Sequence, residues 1–361
     1  MYLAGLNLGG FFSQVKDDIF TDNHLDNFIK EADFEQIKKW GFNSVRLPID
    51  YFFFEREPFK YDESRLKRID NVIAVTGKYG LKTVIDLHKS AGHSFDFREK
   101  SGNDIWDKKS ENRKRFLAIW NMLSRRYSDH EKVIYELLNE PVAPDAEDVN
   151  ELYEEAVDII RKNDKEHCIM IESNLWGTCR QFPFLKKLND DKIIYSFHFY
   201  EPVIVTHQLA PWMAYMIFDI YKKTVPYPGK PEGISAVLSK IREKDDKLAE
   251  MLENNDKYWD GTELEKLLQP VLNFKNKYNV PIYCGEFGII VLADPASRKN
   301  WMRDFMGILK KHSISFGYWS YKNMDFGVVD YTEEYRNNPN YGADRVDHNI
   351  LNALISGIKK N

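Results

Sequence analysis

Two apolar patterns alternate along the chain. Short, mostly β-branched or aromatic runs fall at 3–8 (LAGLNL), 43–48 (NSVRLP), 82–88 (KTVIDLH), 133–139 (VIYELLN), 168–172 (CIMIE), 193–199 (IIYSFHF), 281–286 (PIYCGE) and 316–320 (FGYWS). Between them, near 33–40, 62–79, 110–128, 147–163, 262–278, 297–311 and 346–359, apolar positions recur at helical spacing, with a weaker helical signal at 180–188. Continuous apolar strands alternating with amphipathic helices predict parallel βα units. Eight units close into an α/β architecture, a (β/α)8 TIM barrel, with a doubly wound open sheet as the alternative.

One interval breaks the rhythm. Residues 201–261 lie where a βα loop usually needs about 2–6 residues. The stretch carries its own aromatics (Trp212, Tyr215, Phe218, Tyr221, Tyr227, Tyr258, Trp259) and a helical pattern over 233–255, with no polar linker on either side. The expectation is a single catalytic barrel over 1–361, with 201–261 an insertion subdomain in the βα loop after strand six. Such a loop leaves a parallel barrel at its C-terminal face, where active sites lie. Trp212 is therefore a candidate subsite aromatic, or a member of the insertion's own core.

Composition narrows the class. A net charge of −5 argues against a nucleic-acid surface and fits a neutral partner. Aromatic residues make up 14%, including 8 Trp and 20 Tyr, which suits either a thick core or a groove that stacks sugar rings. The three cysteines, Cys168, Cys179 and Cys284, have no paired spacing, so neither a disulfide framework nor a zinc site follows, and Cys284 reads as a small core residue. No run approaches the roughly 18 apolar residues of a membrane span. Met1 leads directly into a strand, so the expectation is no signal peptide: an intracellular protein or the mature form of a secreted one.

Chemistry concentrates at the strand ends. Glu140, in VIYELLNEP, and Glu286, in PIYCGEFG, each stand where the chain leaves an apolar strand. A carboxylate buried there without a partner costs several kcal/mol, so each must be paired or wet. Arg46, His88, Asn139, His198, Tyr200 and Trp319 also fall at C-terminal tips, which spreads the set over strands two, three, four, six, seven and eight. Each alone has a packing explanation. A core would not collect two Glu, an Arg and two His at one end, and convergence at that end of a barrel reads as catalysis. His88 and His93 are five apart, which fits no helical metal-ligand spacing, so no metal is expected.

These stretches resemble glycoside hydrolase family 5, of the clan A retaining hydrolases. RLP, DLH, LNEP, HFY, GEFG and the strand-eight YW stand in the family's order, filled by Arg46, His88, Asn139, Glu140, His198, Tyr200, Glu286 and Trp319. NLGG, GFNSVRLPIDY, IYELLNEPV, FHFYEP, YPG and YCGEFGI look more narrowly like the bacterial endoglucanase C type. The resemblance implies a retaining endo-β-glucanase acting on β-1,4 linkages in cellulose-type or mixed-linkage β-1,3-1,4 glucans, a lichenase-like range. A β-mannanase, an exo-β-1,3-glucanase of the same family and a non-catalytic carbohydrate-binding barrel are the alternatives. It further implies Glu286 as nucleophile, Glu140 as acid/base, Asn139 on the sugar 2-hydroxyl, His88 and His198 in support, and Trp319 as the floor under the sugar. Arg46 and Tyr200 would favour the Glu286 anion. Trp176, Trp212, Tyr321 and His93 are candidate subsite residues. No cofactor, nucleic acid or membrane is implied; the expected partner is a β-glucan chain, and the expected state is a monomer.

Overall fold

The computed structural model describes residues 1–95, 102–217, 219, 221–243 and 246–358. All eight expected strands form: β1 (Ala4–Asn7), β2 (Ser44–Asp50), β5 (Lys82–Lys89), β6 (Val133–Glu136), β7 (Ile169–Glu172), β8 (Ile193–Phe199), β9 (Ile282–Phe287) and β10 (Ser315–Tyr318). A two-stranded hairpin, β3 (Glu55–Glu57) and β4 (Lys60–Tyr61), lies outside them and was not expected from the sequence. The eight close into a barrel in which chain order is spatial order, from β1 through β2 and β5 round to β10 and back. Their parallel registers include Gly5 with Ser44, Asn7 with Arg46, Asp86 with Glu136, and Glu172 with Ser196.

The register creates layers inside the barrel. Leu3, Val84, Ile134, Met170, Ile194 and Tyr283 form one buried apolar cluster. Alternation then turns the residues two further along each strand to the same interior: Gly5, Asp86, Glu136, Glu172, Ser196 and Gly285. Large polar side chains need space there, and glycine supplies it. A Cβ on Gly5 would stand 2.6 Å from Ser44 Oγ, and one on Gly317 would collide with the Tyr283 hydroxyl. An apolar floor thus carries a polar layer that opens toward the strands' C-terminal ends.

The surrounding helices start where short polar side chains can bind their first free N–H groups. Asp62 caps Glu63–Lys78, Ser110 caps Glu111–Tyr127, and Asp145 with Asp148 forms a capping box on Ala146–Asn163. Each such cap is worth about 1 kcal/mol. Helix Glu111–Tyr127 buries Phe116, Ile119, Trp120, Leu123 and Tyr127. The Trp120 indole donates to the Leu137 carbonyl at 3.0 Å, fixing the chain just before Asn139 and Glu140.

The chain divides into two compact units. The first holds residues 1–198, 270–286 and 314–318, which include the barrel; the second holds 199–269, 287–313 and the segment from 319 onward. In the second, helices Pro295–Lys311 and His348–Gly357 pack together, joined by a buried Arg298–Asp347 ion pair at 3.0 Å. Within 201–261, the pattern over 233–255 forms two helices, Ile234–Arg242 and Asp246–Glu253. Gln208 exchanges hydrogen bonds with the Val225 backbone, and Tyr215, Tyr221, Tyr227 and Trp259 are buried. The expected helix over 262–278 is divided at Leu268, and 180–188 is instead a 3-10 turn, Cys179–Phe184, containing Pro183.

Candidate active site

Arg46 is the hub. It lies fully buried on β2, where an isolated cation would be untenable, and its guanidinium is saturated by carboxylates and amides. Nε and Nη2 bind Glu136 at 2.6 and 3.2 Å, and Nη2 stands 3.0 Å from Asp86. Nη1 binds Glu286 at 2.6 Å and Asn7 at 2.9 Å, while Nη2 also donates to Asn139 at 2.8 Å. One rigid fork therefore holds five groups from four strands, Asn139 standing just past the end of β6. Burial raises Asp86 and Glu136 to about 7 despite the opposing pull of Arg46.

Asp86 receives His88 Nδ1 at 2.7 Å. Burial lowers His88 to about 3, so it acts as a neutral, oriented imidazole. Asn139 accepts from Arg46 with its carbonyl oxygen, while its buried amide nitrogen has no hydrogen-bond partner among the described residues. That leaves donors for a hydroxyl arriving from outside.

Glu140 follows at a sharp turn, with φ of +45°. The regular ladder of β6 ends at Glu136, shorter than the 133–139 read from the sequence, because the chain is already turning toward this residue. Alternation fails there, so the consecutive Asn139 and Glu140 can both join the cluster. Glu140 Oε1 lies 3.0 Å from His198 Nδ1, and the same nitrogen is 3.7 Å from Glu286 Oε2. Oxygens of Glu140 and Glu286 and a nitrogen of His198 all lie within 4.8 Å of one another. Burial, reinforced by the Glu286 charge, drives the Glu140 carboxyl well above its usual range.

The expected residues Arg46, His88, Asn139, Glu140, His198 and Glu286 are thus brought together. Trp176 lies in a left-handed turn with Leu175; it is 40% exposed, and its indole donates to the Phe95 carbonyl at 2.8 Å. His93 is buried with its ring edge-on to Trp106, a packing position. Tyr200, Trp212, Trp319 and Tyr321 belong to the second unit. There Tyr200 meets the His207 and Phe326 rings, Trp212 is edge-on to His207, and Trp319 and Tyr321 are buried.

Asn7, Asp86, Glu136 and Glu172 were not among the candidates read from the sequence. All four were findable by counting two residues on from Leu3 through Gly5, and from Ile134, Met170 and Val84. Two acid-and-imidazole triplets, Glu136–Glu172–His198 and Glu140–His198–Glu286, have the composition of metal ligands. Arg46 already supplies the cation bound by Glu136 and Glu286, which disfavours a second positive charge beside it.

Removing that cation has a definite consequence. Arg46→Ala strands three carboxyl groups, so the variant is expected to lose about 3–5 kcal/mol of stability as well as activity. Arg46→Lys cannot reproduce the fork and should recover only part of it. Thermal melts of both variants check this; a melting temperature unchanged in Arg46→Ala would contradict the hub role.

A barrel whose C-terminal mouth presents two closely spaced carboxylates, one on a guanidinium and one held at raised proton affinity, defines the glycoside hydrolase class. The chain belongs to glycosyl hydrolase family 5, the cellulases, whose model matches residues 13–325. It is 37% identical over 333 residues to endoglucanase C of Acetivibrio thermocellus, covering 91% of this chain and 94% of that one. Cellodextrinase A of Ruminococcus flavefaciens is 35% identical, with 87% and 83% covered. Among solved structures, endoglucanase Cel5A of the hyperthermophilic Thermotoga maritima superposes with a TM-score of 0.70 at 27% identity, covering 97% and 96%. The family resemblance read from the strand-end motifs is borne out.

Proposed function

We propose that Glu286 is the nucleophile and Glu140 the acid/base of a retaining endo-β-glucanase that cleaves β-1,4 linkages in cellulose-type and mixed-linkage glucans. The observation that carries this reading is the close approach of the two carboxylates, one oxygen of Glu140 lying within 4.8 Å of one oxygen of Glu286. Retaining enzymes hold the pair about 5–5.5 Å apart, whereas inverting enzymes leave about 6.5–9.5 Å for a water. Glu286, steered by Arg46, attacks the anomeric carbon as Glu140 protonates the departing oxygen. Glu140 then takes a proton from water as that water displaces Glu286, restoring both groups. The unused donors of the Asn139 amide support its assignment to the 2-hydroxyl of the reacting sugar. Roles for Tyr200 and Trp319 on the substrate rest on the family resemblance.

The product profile on barley β-glucan, carboxymethyl cellulose, laminarin and mannan tests the substrate. Rapid release of internal fragments from the first two supports the reading; release of single glucose units from laminarin would overturn it. Mannan is kept because the Thermotoga enzyme has been crystallised with mannotriose as substrate.

The pH dependence follows from the charge states. Glu286 must be ionised and Glu140 protonated, so kcat/KM rises as Glu286 loses its proton and falls as Glu140 loses its own. Because Glu140 is shifted upward, the alkaline limb should lie well above an ordinary carboxyl titration. A pH–rate profile in which activity already falls near the usual glutamate range would contradict that assignment.

A further inference from the structure

Glu172 lies at the end of β7, fully buried inside the barrel, and the mechanism above does not use it. Its two oxygens both lead to Glu140. Oε2 accepts the Glu140 backbone N–H at 2.9 Å. Oε1 is 3.2 Å from His198 Nε2, and among the described residues neither of those buried atoms has a hydrogen-bond partner, so a proton between them would satisfy both. His198 Nδ1 in turn stands 3.0 Å from Glu140 Oε1. Space for Glu172 Oε1 is made by Gly177, which adopts φ of +65° and whose added Cβ would collide with that oxygen. Carboxyl, imidazole and carboxyl therefore form a line, closed into a ring by a backbone bond.

A neutral imidazole carries one N–H, and the hydrogen bond at one nitrogen decides where it sits. We propose that Glu172 is a positioning residue for the acid/base: as a carboxylic acid it donates Oε1–H to His198 Nε2, so that His198 donates Nδ1–H to Glu140 Oε1. The inference rests on the reading of Glu140 as the acid/base. With Oε1 occupied as an acceptor, the Glu140 proton is confined to Oε2, the oxygen left for the departing group. Once that proton is given up, the same Nδ1–H stabilises the new carboxylate. The opposite tautomer would draw the proton onto Oε1, facing Nδ1 and away from its use. Burial, with the charges of Glu136 and Glu140, pushes Glu172 well up against the pull of Arg46. Burial, with Arg46 and His88, holds His198 well down. These are the protonation forms that the arrangement requires.

The test compares Glu172→Leu and Glu172→Gln by kcat/KM against pH, on barley β-glucan and on a dinitrophenyl cellobioside. Leu frees the tautomer: activity on β-glucan should fall about tenfold or more, with a much smaller loss on the activated substrate. The alkaline limb should move up by about one pH unit, because Nδ1 now accepts from the acid form. Gln can donate its amide to Nε2 and accept the Glu140 N–H, so it should recover most of the loss. An equal loss on both substrates with an unmoved limb, or no recovery by Gln, would overturn the proposal. If Glu172→Leu does not fold, 15N-histidine spectra of the unaltered enzyme decide, with His198 assigned by its absence in His198→Asn. A proton on Nδ1 supports the proposal, and one on Nε2 overturns it. Glu140→Ala separates the two levels: without leaving-group dependence in that variant, the acid/base reading itself fails.

Discussion

Glu286→Gln is expected to abolish turnover on every β-glucan, by about 10⁴-fold or more, while oligosaccharide binding survives. The amide oxygen can still accept from Arg46 Nη1, which now binds the carboxylate at 2.6 Å, so the guanidinium keeps its contacts and the barrel its packing. What is lost is the electron pair that attacks the anomeric carbon. Asp86 and Glu136 cannot replace it, since both are fully buried and bound to Arg46. Calorimetric binding of cellotetraose, measured beside the rate, distinguishes this from misfolding. Retained turnover above a trace would refute the assignment.

Glu140→Ala should fail differently. Loss of the acid is expected to cost about 10²–10⁴-fold on natural glucans, whose leaving sugar needs a proton. Aryl cellobiosides with good leaving groups need none, so their first step should persist and the covalent intermediate should accumulate for want of a base. Azide, which requires no base, should then restore the second step and yield the β-glycosyl azide with retained configuration. Steady-state rates with and without azide, with product analysis by NMR, read this directly. Absence of any azide effect would remove Glu140 from the acid/base position.

The fold could be read from the chain because a buried parallel strand must be apolar nearly throughout. LAGLNL, KTVIDLH and IIYSFHF therefore stand out against the amphipathic segments between them. The hairpin Glu55–Tyr61 could not be read that way: ERE and KY have little apolar character, and their pairing is local. The catalytic candidates were visible for a related reason. A Glu, His or Arg that ends an apolar run has a packing explanation when alone but not when several gather at one end of a barrel, and five of them do converge, with Asn139 beside them. Glu136 and Glu172 went unread because their justification lies far away in sequence. A carboxyl facing the barrel interior is intelligible only once Arg46, 90 positions distant from Glu136, is beside it. Likewise the turn at Glu140 depends on Glu172 receiving its backbone N–H.

The measurement that bears most directly on the account is covalent trapping. Incubation with a 2-deoxy-2-fluoro cellobioside carrying a dinitrophenyl leaving group slows both steps but slows the second more, so the glycosyl-enzyme persists. Proteolysis and mass spectrometry should place one fluorosugar on the peptide containing Glu286. A label on Glu140, or inactivation without any covalent adduct, would contradict the account.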